Sequence, residues 1–197
     1  MYRKENYSLV LLAGGKSSRM GSNKAELMFE GKTFTKVLLE KANRMGIEHI
    51  YVSGYEEDGF QTVWDIYPEM GPLGGLHACM HTVNTPYCLV LPVDVPQIPV
   101  ELLESLIDYH EQMNEKELPV LLRHGNRREN LIGIYPVRMK NFIEERIKDR
   151  RLSVHSLLDA WGHCCVECDV PEWQIENINT KENYEKLLRL AKRGNQC

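Results

Sequence analysis

A basic, glycine-rich segment at residues 11–24 is the part of the sequence whose residue types point most directly to chemistry. It reads Leu-Leu-Ala-Gly-Gly-Lys-Ser-Ser-Arg-Met-Gly-Ser-Asn-Lys and contains three glycines and three cations but no carboxylate. Glycines allow the main chain to approach a ligand closely and to turn its N–H groups toward it. Arg19 and Lys24 add positive charge. The segment therefore predicts a phosphate-binding loop, with a basic surface loop as the alternative.

A second candidate is Asp94, which follows the most continuous apolar run of the chain, Tyr87–Val93. Such a run predicts a central strand that is buried on both faces. A carboxylate at the carboxyl end of a central parallel strand lies where open α/β sheets bind ligands, and it needs a counter-charge when buried. A helix N-cap is the alternative, but Pro96 and Pro99 intervene before the next helix. We therefore expect a cation or a metal ion beside Asp94.

The elements that must position these residues alternate between strands and helices, which predicts an α/β fold with a parallel sheet. A buried strand over Tyr7–Leu12 leads into the glycine-rich segment, and a turn at Glu30–Gly31 places Lys24 beside the end of that strand. Gly71–Gly75 precedes a helix predicted over 76–83, whose free N–H groups would face an anion. Other predicted strands cover 49–52 and 62–64, and other predicted helices cover 37–45, 100–113 and 181–193.

Composition argues against several classes of function. The 197 residues carry a net charge of -4 with a pI near 6.0, which disfavours a nucleic-acid groove but is compatible with small anionic ligands. No apolar run approaches the roughly 20 residues of a membrane span, and the N-terminal residues contain no signal-peptide core. The length predicts a single domain, and these features together predict a cytoplasmic protein.

Two further clusters contain metal-ligating residue types. His77 and His81 lie one helical turn apart, a spacing that can hold a metal ion. No third ligand is recognisable, so two surface histidines are the preferred interpretation. Cys165 and Cys168 form a Cys-x-x-Cys pair in a segment that predicts a short strand. Without a second pair we expect reduced thiols rather than a zinc or redox site.

Residues 12–24 resemble the motif Leu-Ala-Gly-Gly-x-Ser-x-Arg-Met-Gly-x-x-Lys, with which the nucleotidyltransferases that activate sugars, isoprenoid alcohols and molybdopterin begin. The segment matches neither Gly-x-Gly-x-x-Gly nor the P-loop. The double glycine after Ala13 is most similar to the molybdenum cofactor guanylyltransferases of the MobA type, since their cytidylyl relatives more often have Leu-Ala-Ala-Gly. Gly71–Gly75 and Asp94–Pro99 also resemble family elements, Gly-Pro-Leu-Ala-Gly and Asp-x-Pro-x-Ile-Pro.

The resemblance implies a three-layer Rossmann-like nucleotidyltransferase fold with a mostly parallel, mixed central sheet. It implies one domain, in which the part over about 1–100 binds nucleotide and the part over about 101–197 binds a pterin. The implied reaction is the Mg²⁺-dependent transfer of GMP from GTP to molybdopterin, which gives molybdopterin guanine dinucleotide and pyrophosphate. The implied protein partners are a molybdenum-inserting protein and the apoproteins of molybdoenzymes.

The same resemblance assigns roles to residues of this chain. It implies that Arg19, Lys24 and Asp94 are catalytic and that Asp94 holds Mg²⁺. Main-chain groups near the first glycines, together with Asp65, would select guanine. The residues implied to bind GTP are Leu12, Ala13, Gly14, Gly15, Lys24, Asp65 and Asp94. The residues implied to bind molybdopterin are Gly75, Arg151, Asn177 and Asn179.

Two residues depart from the family pattern. Ser53 stands where some members carry an asparagine that helps to hold guanosine, and Lys181 replaces the proline of an Asn-x-Asn-Thr-Pro element.

Two alternative functions stay open. The first is a cytidylyltransferase or another small-molecule nucleotidyltransferase, and the second is a non-catalytic nucleotide-binding module. The presence of both Lys24 and Asp94 disfavours the module.

Overall fold

The structure is a computed structural model that describes residues 3–14 and 23–194, with side chains described as far as residue 191. Helices cover both faces of a central sheet, so the described residues form three layers. The elements are β1 (Tyr7–Leu12), β2 (Met28–Phe29), β3 (Lys32–Thr33), α1 (Phe34–Met45), β4 (His49–Ser53), β5 (Gln61–Val63), α2 (Pro72–Thr82), β6 (Tyr87–Pro92), α3 (Val100–Gln112), β7 (Val120–His124), β8 (Arg127–Pro136), α4 (Lys140–Lys148), α5 (Val154–Trp161), β9 (Cys164–Glu167) and α6 (Lys181–Gly194).

The large sheet has the strand order β5-β4-β1-β6-β8-β7-β9. Strand β1 pairs in parallel with both β4 and β6, and the pairs β4/β5 and β7/β9 are also parallel. Strand β8 runs antiparallel to β6 and β7. The predicted mostly parallel, mixed sheet is therefore confirmed. Because β1 and β6 are neighbours in register, their carboxyl ends lie side by side at the same edge.

The side chains of the central strands alternate between two hydrophobic cores. Leu9 and Leu11 of β1 belong to the core that α1, α3 and α6 cover, whereas Val10 and Leu12 belong to the core under α2, α4 and α5. Strand β6 alternates in the same way, and its residues 88–91 are almost fully buried. Burial on both faces explains why these strands are continuous apolar runs, as the sequence predicted.

A short turn and a hairpin fix the residues around Lys24. The Asn23 side chain accepts a hydrogen bond from the N–H of Ala25 at 3.1 Å, and Ala25 is fully buried. The β2–β3 hairpin then turns at Glu30 and Gly31, whose φ angles are 50° and 79°. Positive φ at both positions is typical of a tight two-residue hairpin turn, so the predicted turn is confirmed.

Helix α2 begins at Pro72 rather than at residue 76, where the sequence analysis placed its start. Gly71 precedes the helix with a φ of 60°, and Pro72 occupies the first helical position. Proline is well suited to that position because its ring fixes a helical φ and its missing N–H would have no partner there. Gly74 and Gly75 therefore belong to the first turn of α2 and not to a loop before it.

The interpretation of His77 as a surface residue is wrong. Its side chain is 1% exposed, because residues 73–80 of α2 are all buried where the helix packs against the sheet and α4. His81, one turn later, is exposed.

The predicted strand around Cys165 is confirmed as β9, and Cys165 and Cys168 are free thiols. None of the described helices is both long and apolar enough to cross a membrane.

Candidate active site

Lys24 and Asp94 form an ion pair at the carboxyl edge of the sheet. Lys24 Nζ lies 2.7 Å from Asp94 Oδ2, and the side chains are 19% and 14% exposed. The N–H of Val93 donates to the carbonyl of Leu12 at 3.0 Å, which ties the residue before Asp94 to the end of β1. The structure thus brings the last cation of the glycine-rich segment to the carboxylate that follows β6.

The second carboxylate oxygen of Asp94 is available for a ligand. Asp94 Oδ1 is buried and makes no hydrogen bond to the described residues. A buried charged oxygen without a partner is energetically unfavourable, so this atom indicates a missing cation or donor. Hard divalent cations such as Mg²⁺ prefer carboxylate oxygens as ligands. The residues present therefore fit a magnesium ion at Asp94.

The C-terminal segment with the two asparagines reaches the same ion pair. Asn179 Oδ1 accepts a hydrogen bond from Lys24 Nζ at 2.5 Å, and the N–H of Ile178 donates to the main-chain carbonyl of Asp94 at 2.8 Å. Ile178 is buried, whereas Asn177 and Asn179 on either side of it are partly or fully accessible. The structure therefore brings Asn179 to the Lys24–Asp94 pair, whereas Asn177, two residues earlier, is not among the residues that line the cleft described next.

A cleft of about 670 Å³ lies between the ends of β1 and β4 and the start of α2. Lys24 and Asp94 do not line it, but Leu12 does, and the Leu12 carbonyl is hydrogen-bonded to the residue before Asp94. The cleft contains four residues that the sequence analysis assigned to substrates, Leu12, Gly14, Asp65 and Gly75. Gly75 had been assigned to the pterin, but it shares this cleft with the nucleotide candidates. The other lining residues are Ser53, Gly54, Trp64, Pro68, Glu69, Gly71 and Pro72.

The main-chain N–H groups of the first glycines are already used within the protein. The N–H groups of Ala13 and Gly14 both donate to the carbonyl of Ser53, at 3.0 and 2.8 Å. The carbonyl of Leu12 accepts from Val93, as described above. In this structure the two N–H groups hold β1 to β4 and are not free to read a base, whereas the Leu12 carbonyl has a second lone pair that can accept another hydrogen bond.

Asp65 and Trp64 provide the side chains that can read and cover a base in the cleft. Asp65 makes no hydrogen bond or ion pair with the described residues, and partial burial raises its pKa. Trp64 is 60% exposed on the cleft wall, where an indole can stack on a flat ring. Trp64 was not expected at the site, because the sequence predicts a strand over 62–64. In the structure the strand β5 ends at Val63.

Three other predicted site residues lie elsewhere or outside the described chain. Arg151 follows α4, its side chain is 63% exposed, and it is not among the residues that line the cleft. Its neighbour Arg150 contacts the sulfur of Met70, next to the cleft residue Gly71, at 3.6 Å. Gly15 and Arg19 lie outside the described residues.

Comparison with known proteins decides the family. The model of the MobA-like NTP transferase domain matches residues 9–164, which include the Lys24–Asp94 pair and the cleft. The chain belongs to the MobA-like NTP transferase family. It is therefore a nucleotidyltransferase by family, and the predicted resemblance is confirmed.

Named members of this family are similar to the chain over nearly its whole length. The molybdenum cofactor guanylyltransferase of Xanthomonas euvesicatoria pv. vesicatoria is 33% identical over 189 residues, which cover 91% of this chain and 93% of the relative. A probable molybdenum cofactor guanylyltransferase of Clostridium perfringens is 30% identical over 195 residues, covering 92% and 96%. The crystal structure of molybdopterin-guanine dinucleotide biosynthesis protein A from Archaeoglobus fulgidus shares the fold, with a TM-score of 0.78, 20% identity and coverage of 94% and 99%.

Proposed function

We propose that this family member transfers GMP from GTP to molybdopterin with Mg²⁺ as cofactor and forms molybdopterin guanine dinucleotide and pyrophosphate. The observation that carries the proposal is the Lys24–Asp94 ion pair, which is tied through Val93 and Leu12 to the end of β1, where a cleft of about 670 Å³ begins. The names of the relatives support the choice of substrates. We further propose a molybdenum-inserting protein and molybdoenzyme apoproteins as partners.

Lys24 binds the triphosphate. An ammonium group has three N–H donors. Within the described residues Lys24 donates two of them, one to Asp94 and one to Asn179. One donor remains for a phosphate oxygen without any loss of the existing contacts. Arg19, from the same basic segment, adds a second cation for the charge that develops on the leaving pyrophosphate.

Asp94 holds the metal ion through Oδ1, which has no hydrogen-bond partner in the described part of the chain. Mg²⁺ bound there supplies neutralising charge and polarises phosphate oxygens. Lys24 keeps Oδ2 occupied at 2.7 Å, so the carboxylate cannot rotate freely and Oδ1 keeps its direction. Asn179 and Ile178 hold Lys24 and the Asp94 main chain from the other side.

The reaction that these residues serve is an in-line displacement at the α-phosphorus of GTP. A terminal phosphate oxygen of molybdopterin forms a bond to that phosphorus while the bond to the bridging oxygen of the β-phosphate breaks, and pyrophosphate leaves with the electron pair. The attacking phosphate is already ionised at neutral pH, so no proton has to be removed. Positioning and charge stabilisation are therefore the protein's whole contribution, and no general base is required.

Asp65 selects guanine in this proposal. Guanine presents two adjacent N–H donors on one edge, which match the two oxygens of a carboxylate, whereas cytosine presents one amino donor beside acceptors. The Ala13 and Gly14 N–H groups do not take part, because Ser53 uses them. Base choice thus depends on a side chain that has no hydrogen-bond or ion-pair partner among the described residues.

The test is a direct assay of the purified chain with molybdopterin, Mg²⁺ and either GTP or CTP. Pyrophosphate release reports turnover, and mass spectrometry of the product identifies the dinucleotide. We expect pterin-dependent release with GTP and the mass of the guanine dinucleotide. Equal or better turnover with CTP would assign the chain to the cytidylyltransferases, and nucleotide binding without any release would assign it to the non-catalytic modules.

A further inference from the structure

A cluster of metal-ligating side chains joins α2 to α4 and contains none of the residues of the candidate active site. His77 and His81 come from consecutive turns of α2, and Glu144 comes from α4. One ligand atom of each residue lies within 4.8 Å of the others. The two imidazole rings have centroids 4.5 Å apart. The i, i+4 spacing places both histidines on one helix face, and tertiary packing supplies the third residue that the sequence analysis could not recognise.

His77 is the residue that indicates a missing ligand. Its side chain is 1% exposed, and neither Nδ1 nor Nε2 makes a hydrogen bond to the described residues. A neutral imidazole has one N–H donor and one acceptor lone pair, and leaving both unpaired in a buried position costs free energy. His81, which shares the cluster, is exposed, so an ion can reach the site from solvent.

The carboxylate of the cluster is held in place by two donors. Tyr67 Oη donates to Glu144 Oε1 at 2.8 Å, and Lys148 Nζ lies 2.8 Å from the same oxygen. The Tyr67 ring also packs 5.4 Å from the His77 ring. Such partners around a ligand carboxylate are typical of the outer shell of metal sites. Lys148 is 59% exposed, so its charge can turn toward solvent when a cation binds.

The protonation states of the cluster are compatible with metal binding. Burial, followed by the neighbouring His81, lowers the pKa of His77. Hydrogen bonds from Lys148 and Tyr67 lower the pKa of Glu144 to about 2. At neutral pH a neutral imidazole and an ionised carboxylate are therefore available, and these are the forms that ligate metals.

We propose that His77, His81 and Glu144 bind a divalent transition-metal ion of the zinc class, with water as the remaining ligand. Two imidazoles and one carboxylate suit Zn²⁺, Co²⁺ or Ni²⁺, whereas Mg²⁺ and Ca²⁺ prefer oxygen ligands throughout. Ligand atoms on a tetrahedral zinc ion are roughly 3.3 Å apart, so the side chains close by at most about 1.5 Å when the ion binds.

The ion would fasten α2 to α4. The N-cap Gly71 and the first-turn residues Pro72 and Gly75 of α2 contribute to the wall of the cleft. A metal ion that links the next two turns of this helix to α4 would stabilise that wall without touching the substrates. The proposal is therefore separate from the proposed reaction, and either can fail without the other.

Cobalt binding by the 197-residue chain tests the proposal. The protein is stripped of metals with a chelator under reducing conditions and titrated with Co²⁺ in a large excess of Mg²⁺, which occupies oxygen-only sites. We expect one Co²⁺ per chain, with visible absorption bands of nitrogen and oxygen coordination. We also expect Zn²⁺ to displace the cobalt and to raise the midpoint of thermal unfolding.

The variants are chosen so that folding does not confound the result. His81→Ala changes an exposed residue, and Glu144→Gln keeps the side-chain shape. Loss of an outer-shell partner typically weakens metal binding by roughly 10- to 100-fold, and we expect this loss for Tyr67→Phe. His81→Ala and Glu144→Gln each remove a direct ligand and should weaken Co²⁺ binding by more than that. His155→Ala is the matched control, because His155 forms an exposed i, i+4 pair with Asp159.

Three results would overturn the proposal. The first is that the stripped wild-type chain binds no cobalt. The second is that His81→Ala and Glu144→Gln bind cobalt as tightly as the wild type does. The third is an intense sulfur-to-cobalt absorption band that disappears in Cys165→Ser, which would assign the bound metal to the cysteines near β9. Retained binding in His155→Ala together with loss in His81→Ala supports the cluster.

Discussion

Gly75 and Ser53 lie so close together that a Cβ atom on Gly75 would be 2.4 Å from the Ser53 hydroxyl oxygen. Gly75 is in the first turn of α2, and Ser53 ends β4 and is 3% exposed. The helix can approach the sheet at this point only because residue 75 has no side chain. The contact therefore sets the width of the cleft between α2 and β4.

Gly75→Ala should destabilise the protein. Alanine gains about 1 kcal/mol of helix propensity over glycine, whereas overpacking a rigid site costs about 1–3 kcal/mol. We expect a net loss of up to about 2 kcal/mol in the free energy of unfolding, measured with urea, and a higher KM for GTP.

The double variant isolates the cause of that loss. In a Ser53→Ala background the hydroxyl oxygen is gone, so Gly75→Ala should be neutral or stabilise by up to about 1 kcal/mol. An equal loss in both backgrounds would show that the hydroxyl contact is not what requires glycine at this position.

Asp94→Asn should abolish Mg²⁺-dependent pyrophosphate release while the fold stays intact. Asparagine preserves the shape and still accepts a bond from Lys24, but it lacks the charge that holds the metal ion. We expect turnover to fall by at least about 100- to 1,000-fold, the loss typical of removing one preorganised charge-stabilising group. Pyrophosphate release over a range of Mg²⁺ concentrations measures the effect.

Glu40→Gln is the control for this charge change, because Glu40 pairs with Lys32 on the exposed surface. It should leave turnover unchanged. Full activity of Asp94→Asn at every Mg²⁺ concentration, the lowest included, would contradict the metal-binding role of Asp94.

Lys24→Ala should weaken GTP binding through the phosphates. Loss of a charged hydrogen-bond donor costs about 1.5–3 kcal/mol, which corresponds to a roughly 10- to 100-fold weaker affinity. Guanosine, which has no phosphates, should bind the variant as it binds the wild type. Calorimetric titration with both ligands makes the comparison, and Lys32→Ala in the hairpin serves as the control. Equal losses for GTP and guanosine would place Lys24 near the base instead.

The stability of the protein should fall as the pH is lowered from 6.5 to 4, in part because of His110. Burial, and secondly the nearby Lys116, lowers the pKa of His110 to about 4. Tyr7, Tyr87 and Glu111 also face this residue, and Tyr7 Oη lies 2.6 Å from Nδ1. The unfolded chain, with a histidine pKa near 6.5, binds a proton in this interval that the folded protein does not.

Linkage then gives the sign and the size of this effect. Above pH 6.5, His110 makes its full contribution to the free energy of unfolding. This contribution decreases by about 3 kcal/mol when the pH is lowered to 4. His110→Phe cannot take up the proton, so its free energy of unfolding should depend less on pH by that amount. Urea unfolding of both proteins across this pH range gives the difference. Parallel pH profiles would show that His110 titrates normally in the folded protein.

The fold was predictable because the signals that specify it are local. The apolar runs of β1 and β6, the strand–helix alternation and Gly46 at the end of α1 all depend on neighbouring residues. Gly46 has a φ of 73°, the left-handed conformation that glycine adopts most easily. The proximity of Lys24 and Asp94 followed from their places after two neighbouring strands.

The remaining features depend on how distant segments pack. His77 carries the same i, i+4 signal whether it faces solvent or α4, so its burial could not be read from the sequence. The carbonyl of Ser53 takes the N–H groups of Ala13 and Gly14 only because β4 lies beside β1. Trp64 directly follows Val63, and both are hydrophobic, so the sequence does not show that the strand ends between them. Only the structure shows that Trp64 lines the cleft.

Asp65 carries the last prediction, which concerns the choice of base. Asp65→Asn replaces one of two acceptor oxygens with a donor that opposes the guanine N–H groups. The ratio of kcat/KM for GTP to that for CTP should fall by about 10- to 100-fold, the effect of losing a charged hydrogen bond. Asp58→Asn, an exposed residue before β5, is the control and should leave the ratio unchanged.

The pH dependence of GTP binding checks the same assignment independently. Partial burial raises the pKa of Asp65, so its carboxylate takes up a proton at a higher pH than an exposed aspartate does. Protonation removes an acceptor, and the affinity for GTP should therefore decrease as the pH is lowered toward that pKa. In Asp65→Asn this decrease should disappear, because the amide does not titrate. A wild-type decrease that persists unchanged in the variant would assign the titrating group to the phosphates and their ligands, and Asp65 would then have no part in reading guanine.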